Sequence, residues 1–285
     1  MVRVLKPGFY SSIQDFGRVS FQHYGVPCAG VMDRYSAGMA NVILGNPPDL
    51  AVLEMTITGA SLQFECETII CLSGANLSPK INDDEISLNK PIEVKVNDVL
   101  SFGKLLSGVR CYVAVLNGFQ TEKVLGSFSM YKGVTNNHLL SKNDVLNITL
   151  KNSFIVNKYA SVKLNNQYLE SEVVEVFKGP EFDLLMPSQQ DDLRSNQFTV
   201  SKNNSRMAYQ LEERLENNLS PIITSPVLPG TVQLTPSGQL IVLMRDCQTT
   251  GGYPRVLQLT ESSIDVMAQK FTGDLFTFEL LDEVG

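Results

Sequence analysis

The alternation of apolar and polar positions along the chain is mostly that of strands. In residues 62–72, Leu62, Phe64 and Cys66 take one face, and the run becomes wholly apolar at 69–72. Val109, Cys111, Val113 and Val115 alternate with Arg110, Tyr112 and Ala114, the period of two that puts successive side chains on opposite faces of a sheet. Further strand patterns occupy 146–150, 173–177, 240–244, 256–260 and 275–281, separated by short loops rich in Gly, Asn, Pro and Ser, as sheets and barrels require. Helical signals are few. Asp33 is placed to cap a helix with the stripe Tyr35, Met39, Val42 and Ile43, stopped by Gly45 and Asn46-Pro47-Pro48. Ser262 with Asp265 forms a capping-box pattern ahead of Ile264, Met267 and Ala268, and a third helix is expected around 189–194. The class is therefore mainly β, with a few short helices.

A loose internal echo extends this reading. Gly59-x-x-x-Gln63-Phe64 leads into the apolar run at 69–72, and Gly230-x-x-Gln233-Leu234 leads into 240–243. Two related barrels would produce such an echo. The expected division is residues 1–170 and 171–285, with the junction within 170–180, where the strand pattern at 173–177 ends in Gly179-Pro180.

Composition narrows the function classes. A chain of 285 residues with 43% apolar and 19% charged residues can bury a core. The net charge of −7 and the lack of a dense Lys/Arg run argue against nucleic acid or an anionic membrane as partner. The start of the chain has no continuous apolar core of a signal peptide, and no stretch of about 18 apolar residues occurs. The five cysteines are odd in number and lack paired CxxC spacing; Cys66, Cys71 and Cys111 read as small buried thiols. A cytoplasmic setting is expected. Two histidines, His23 and His138, cannot build a His-rich site, so no metal is expected.

Three polar clusters carry candidate chemistry. The first runs Gln14-Asp15-Phe16-Gly17-Arg18. Asp15 suits an acceptor or base and Arg18 a bidentate clamp for carboxylate or phosphate; the two would equally tie down a long loop. The second, Ser205-Arg206-Met207-Ala208-Tyr209, reads as an anion contact or as a surface turn. The third, residues 245–254, is the densest. A buried strand delivers Arg245, Asp246, Gln248, Thr249 and Thr250 into Gly251-Gly252, with Tyr253 and Pro254 stiffening the exit. Glycines there are expected to supply positive φ and close backbone approach to a ligand. A simple hairpin needs only two or three turn residues. No GxxxxGK[ST] phosphate loop, GxSxG elbow or Met-Lys-Met biotin-acceptor segment is present.

Together the segments QDFGR at 14–18, GVPCAGVMD at 25–33, AN-x3-GN at 40–46, LE at 53–54, SRM-x-Y at 205–209 and DCQTTGGYP at 246–254 resemble one family. It is the biotin-dependent carboxyltransferase-domain (KipA-like) family, also called allophanate hydrolase subunit 2, which includes the C-type subunit of ATP-dependent 5-oxoprolinase. The resemblance covers nearly the whole chain. It implies two cyclophilin-like β-barrel domains. It also implies a KipI-like B-type subunit and a LamB/YcsF-like A-type subunit as partners, and opening of 5-oxo-L-proline to L-glutamate. ATP would be used by the complex, and biotin would not be attached to this chain. The resemblance implies Asp15, Asp33 and Asp246 as acid–base candidates. Gln14, Arg18, Arg206, Tyr209, Arg245, Gln248, Thr249, Thr250, Gly251, Gly252 and Tyr253 would contact substrate. Two further roles fit the family: moving a carboxyl group from carboxybiotin on a separate carrier, as in urea carboxylases, or regulating a KipI-like kinase inhibitor without catalysis.

The chain departs from the family pattern in places. The usual LGSRST reads Leu125-Gly126-Ser127-Phe128-Ser129-Met130, and the usual GR-x-L-x-x-GD begins Asn137-His138. Two expected anion-binding arginines are thus replaced, by Phe128 and His138. The usual Gly-Gly after the preceding strand reads Asn117-Gly118.

Overall fold

The structure, a computed structural model, describes residues 1–149 and 165–281. The chain divides into two compact units: Met1–Arg18 with Ala29–Leu169, and Val19–Cys28 with Glu170–Gly285.

The first unit holds two antiparallel sheets. One has six strands in the order Val145–Leu146, Val2–Lys6, Ser61–Phe64, Val99–Phe102, Pro79–Ile81 and Asp84–Glu85. The other has five, in the order Tyr10–Gln14, Val52–Thr56, Ser107–Val115, Thr68–Asn76 and Ile92–Val94. Val2, Val4, Leu62, Phe64 and Leu100 from the first meet Ile13, Leu53, Met55, Ile70, Leu72, Cys111, Val113 and Val115 from the second in one core. Each fully buried aliphatic of this kind contributes about 1.5–3 kcal/mol. The outer face of the five-stranded sheet is covered as well. Val52, Ile69, Cys71, Tyr112 and Ala114 pack there against Ala37, Ala40 and Leu44. Burial on both faces explains why the run at 69–72 lacks alternation.

The covering helix, α1 (Arg34–Ile43), is capped by Asp33, whose side chain accepts from Ser36 N at 2.9 Å. Its buried face is not the expected stripe of Tyr35, Met39, Val42 and Ile43. Ala37, Ala40, Asn41 and the following Leu44 face inward, and Val42 is exposed. The helical period holds but the inward face differs, because small residues let the helix lie close to the sheet. Asn41 then holds the chain beyond the helix, donating to Leu50 O at 2.8 Å and accepting from Asn46 Nδ2 at 3.0 Å.

The second unit closes into a seven-stranded barrel. Its order is Val173–Lys178, Arg255–Leu259, Thr231–Leu234, Gln239–Leu243, Ala208–Arg214, Gln197–Asn204 and Leu275–Leu280. The last strand returns to the first in parallel register, Val173 opposite Thr277 and Val176 opposite Leu280, while the other pairings are antiparallel. Closure leaves the barrel no open edge. Helix α2 (Pro187–Ser195) follows the first strand, and α3 (Glu261–Ala268) precedes the last. The cap of α3 is Thr260, whose hydroxyl accepts from Ser263 N at 3.1 Å, rather than the expected Ser262 with Asp265. Asp265 instead lies buried within the helix, where it faces a cation. The strand expected over 146–150 is seen as Val145–Leu146, and Leu150 lies outside the described residues.

Candidate functional site

In the second unit, the strand Gln239–Leu243 runs into the polar loop 245–254. The charged groups of that loop are consumed by scaffolding. Arg245, 2% exposed, reaches Glu261 at 2.6 and 3.2 Å and Asp265 at 3.5 Å, which fastens the loop to α3. Arg206 grips Asp246 through Nε and Nη2, both at 2.9 Å. The backbone repeats the tie, Asp246 N donating to Arg206 O at 2.9 Å. Such bidentate, charge-assisted pairs are strong and directional. Tyr209 is buried in the barrel wall opposite Val242. Burial, with Cys28 and Asp246 as weaker contributions, pushes the Cys247 thiol up to about 12.

The second half of the loop is held through its backbone. Val227 N donates to Thr249 O at 3.1 Å, and Ile222 N donates to Gly252 O at 2.9 Å. Ser225–Pro226 pairs with Thr250–Gly251 as a two-stranded ribbon. Neither Gly251 nor Gly252 adopts positive φ, contrary to expectation. The demand for glycine at 251 is one of space, since a Cβ there would collide with Gln233 Nε2.

That glutamine belongs to a cleft of about 570 Å³ lined by Lys202, Asn203, Gln210, Gln233, Gln248 and Tyr253, among others. Gln233 is 2% exposed on the strand Thr231–Leu234, and its Oε1 accepts from Gln248 Nε2 at 3.4 Å. A bond that long is weak. Gln233 Nε2 and Gln248 Oε1 are both buried without a hydrogen-bond partner. A buried polar group in this state costs about 1–3 kcal/mol, and two residues of the cleft lining each carry such an amide atom, one a donor and one an acceptor, without a protein partner. Lys202 is the basic residue of the described lining. Arg206 and Arg245, expected as anion clamps, face carboxylates instead.

The first unit gathers a second set of candidates. Asp15 accepts from Ser127 Oγ at 2.5 Å, Ser129 Oγ at 2.6 Å, Phe128 N at 2.7 Å and Gly17 N at 2.8 Å. Four donors make this carboxylate the organiser of the segment 127–129. Arg18, 1% exposed, donates to Ser129 O, and Gln14 donates to Ser12 Oγ at 2.9 Å and Met130 O at 3.1 Å. Phe128, standing where the family pattern has arginine, packs against the core with the Lys123 ammonium 5.3 Å over its ring. Exposed His138 holds the other arginine position. Asp33, fully buried, accepts from Tyr168 Oη at 2.6 Å, and its backbone N donates to Tyr112 Oη at 2.9 Å.

The expected residues therefore fall into two groups: Gln14, Asp15, Arg18 and Asp33 in the first unit, and Arg206, Tyr209 and 245–253 in the second. Of these, Gln248 and Tyr253 line the cleft. Gln233, which the sequence offers only as a position of the internal echo and not as a site residue, completes it. The available signal is a glutamine inside a short strand that is buried at every position. Among the described residues no group of three or more His, Cys, Asp or Glu side chains is placed to hold a metal ion, and no helix is long and apolar enough to cross a membrane.

Comparison with known proteins places this geometry among relatives. The family model for the carboxyltransferase domain, subdomain A and B, matches residues 24–280. The chain is 29% identical to the C-type subunit of 5-oxoprolinase from Escherichia coli over 275 residues, 94% of this chain and 87% of that protein. It is 41% identical to urea amidolyase of Saccharomyces cerevisiae over 150 residues, 51% of this chain but 8% of that protein. Among solved structures, urea amidolyase of K. lactis superposes with a TM-score of 0.88 at 27% identity, covering 99% of this chain and 19% of that one.

Proposed function

The chain belongs to the carboxyltransferase-domain family of subdomains A and B, and from that premise we propose that it is the C-type subunit of a 5-oxoprolinase-type hydrolase. In this reading the complex opens 5-oxo-L-proline to L-glutamate with ATP, and the chain acts with a KipI-like and a LamB/YcsF-like subunit. The observation that carries the reading is the near end-to-end correspondence with the E. coli protein, 94% of this chain against 87% of that one. The match to urea amidolyase is a fragment of a much longer chain.

The chemistry of the cleft supports it. A lactam offers an N–H and a C=O on one edge, which suits the unpartnered acceptor of Gln248 and the unpartnered donor of Gln233 in the cleft lining. Arg206, Arg245 and Arg255 each face a carboxylate, so these three form no cradle for a triphosphate, and ATP is handled elsewhere in the complex. Asp15, Asp33 and Asp246 serve by fixing loops. Biotin is not attached to this chain.

The test is glutamate release from 5-oxoproline by the co-purified subunits with ATP. Release is expected to require this chain. Equal release from a complex lacking it overturns the proposal.

A second reading rests on the 41% identity to urea amidolyase over half the chain: carboxyl transfer from carboxybiotin on a separate carrier. It requires inhibition by avidin and dependence on a biotinylated protein, and an avidin-insensitive reaction rejects it.

A further inference from the structure

We propose that Gln233 is the specificity-determining residue of the second unit's cleft, selecting an uncharged carboxamide edge by donating from Nε2 to its carbonyl while Gln248 Oε1 accepts its N–H. The inference rests on the amide-recognising site proposed above and assigns the residue that reads it.

Three observations meet at this side chain. It is 2% exposed in a strand otherwise suited to a dry barrel wall, so its amide was withdrawn from water on folding. That withdrawal is not repaid within the chain, since Nε2 has no partner and Oε1 receives only a long bond of 3.4 Å. Nε2 also lies close against Gly251, where an added Cβ would force the amide to shift. A leucine at 233 would fill the same space without an unsatisfied donor. An unpaired buried polar group calls for a completing partner, and a site that pairs it with a ligand rejects analogues that leave it unpaired. Nε2 is itself buried, so a ligand reaches it only when the amide turns about its terminal torsion, which is broad and roughly two-fold.

The pairing also sets what is refused. A carboxylate or phosphate presents acceptors only, and would oppose Gln248 Oε1 with a second acceptor. An N-alkylated lactam has lost the hydrogen that Oε1 requires. A neutral lactam or primary amide satisfies both groups at once.

The experiment measures binding of 2-pyrrolidinone, N-methyl-2-pyrrolidinone and succinate to the full chain by ligand-observed nuclear magnetic resonance, with urea unfolding in parallel. The unsubstituted lactam is expected to bind about tenfold more tightly than its N-methyl form, the worth of one buried hydrogen bond, and succinate to bind least. Gln233→Leu is expected to weaken lactam binding about tenfold while leaving stability unchanged or raised, an opposition that a structural role would not produce. Gly251→Ala, which keeps the glutamine but crowds its amide, is expected to weaken binding in the same direction. Equal binding of the lactam by wild type and Gln233→Leu overturns the inference, as does absence of lactam binding to the wild-type chain or equal binding of the N-methyl form. If the complex releases glutamate but binding ignores Gln233, this inference falls and the proposed function stands. If lactam binding depends on Gln233 but the complete complex releases no glutamate, the proposed function falls instead.

Discussion

Arg206 and Asp246, 40 residues apart, meet through two hydrogen bonds of 2.9 Å and a backbone bond of the same length. Their side chains are 5% and 12% exposed, so the pairing replaces solvation that each charge gives up on folding. Removing one partner deprives a nearly buried charge of its bidentate counter-charge, which costs about 3–5 kcal/mol. Asp246→Ala and Arg206→Ala are each expected to lower the unfolding free energy by that order, and the double variant by less than their sum. Urea unfolding of the four proteins measures the coupling.

Asp15 gives a second prediction. An asparagine keeps the shape of the side chain but turns one acceptor into a donor, facing either Phe128 N or the two serine hydroxyls. Asp15→Asn is expected to cost about 2 kcal/mol, and Ser127→Ala about 1 kcal/mol. Thermal unfolding compares them.

The pair Glu181–Arg255 makes stability depend on pH. Hydrogen bonds from Arg255 hold the Glu181 carboxyl below its ordinary value of 4.5, against a smaller opposing effect of burial. A depressed carboxylate contributes stability above its unfolded value and loses it as pH falls through its folded one. Wild type is expected to exceed Glu181→Gln by about 1 kcal/mol at pH 7. The gap should narrow below about pH 4.5. Unfolding curves across that range check the sign.

Thiol reactivity gives a fourth. Burial raises Cys71, Cys111 and Cys247 to about 12, so almost none is thiolate at pH 8. Half-buried Cys28 is expected to alkylate first in the native protein. Cys71, Cys111 and Cys247 should react after unfolding, as peptide mass mapping would reveal.

Most strands are legible in the sequence because their period survives in the residues themselves, as at Val109, Cys111, Val113 and Val115. The face of α1 is not, because alanines carry little hydrophobic signal and win by being small. The helix cap at 260 escapes a local reading because Asp265 answers to Arg245, twenty residues earlier in the chain, and no capping pattern records that. The same holds for the candidate site. Arg206, Asp246 and Arg245 read as ligand contacts because a sequence shows charges without their partners. Gln233 belongs to no polar cluster, and its meaning lies in what it fails to contact.

The parallel seam of the barrel, Val173–Lys178 against Leu275–Leu280, has a mechanical consequence. Parallel strands that open and close the barrel along the chain place their outer ends at opposite tips of one seam. Tension applied through them would strain all of the seam's hydrogen bonds together rather than peel them singly. The second unit should accordingly resist stretching along the chain more stubbornly than its equilibrium stability alone suggests, a property read in single-molecule force experiments as rupture in shear.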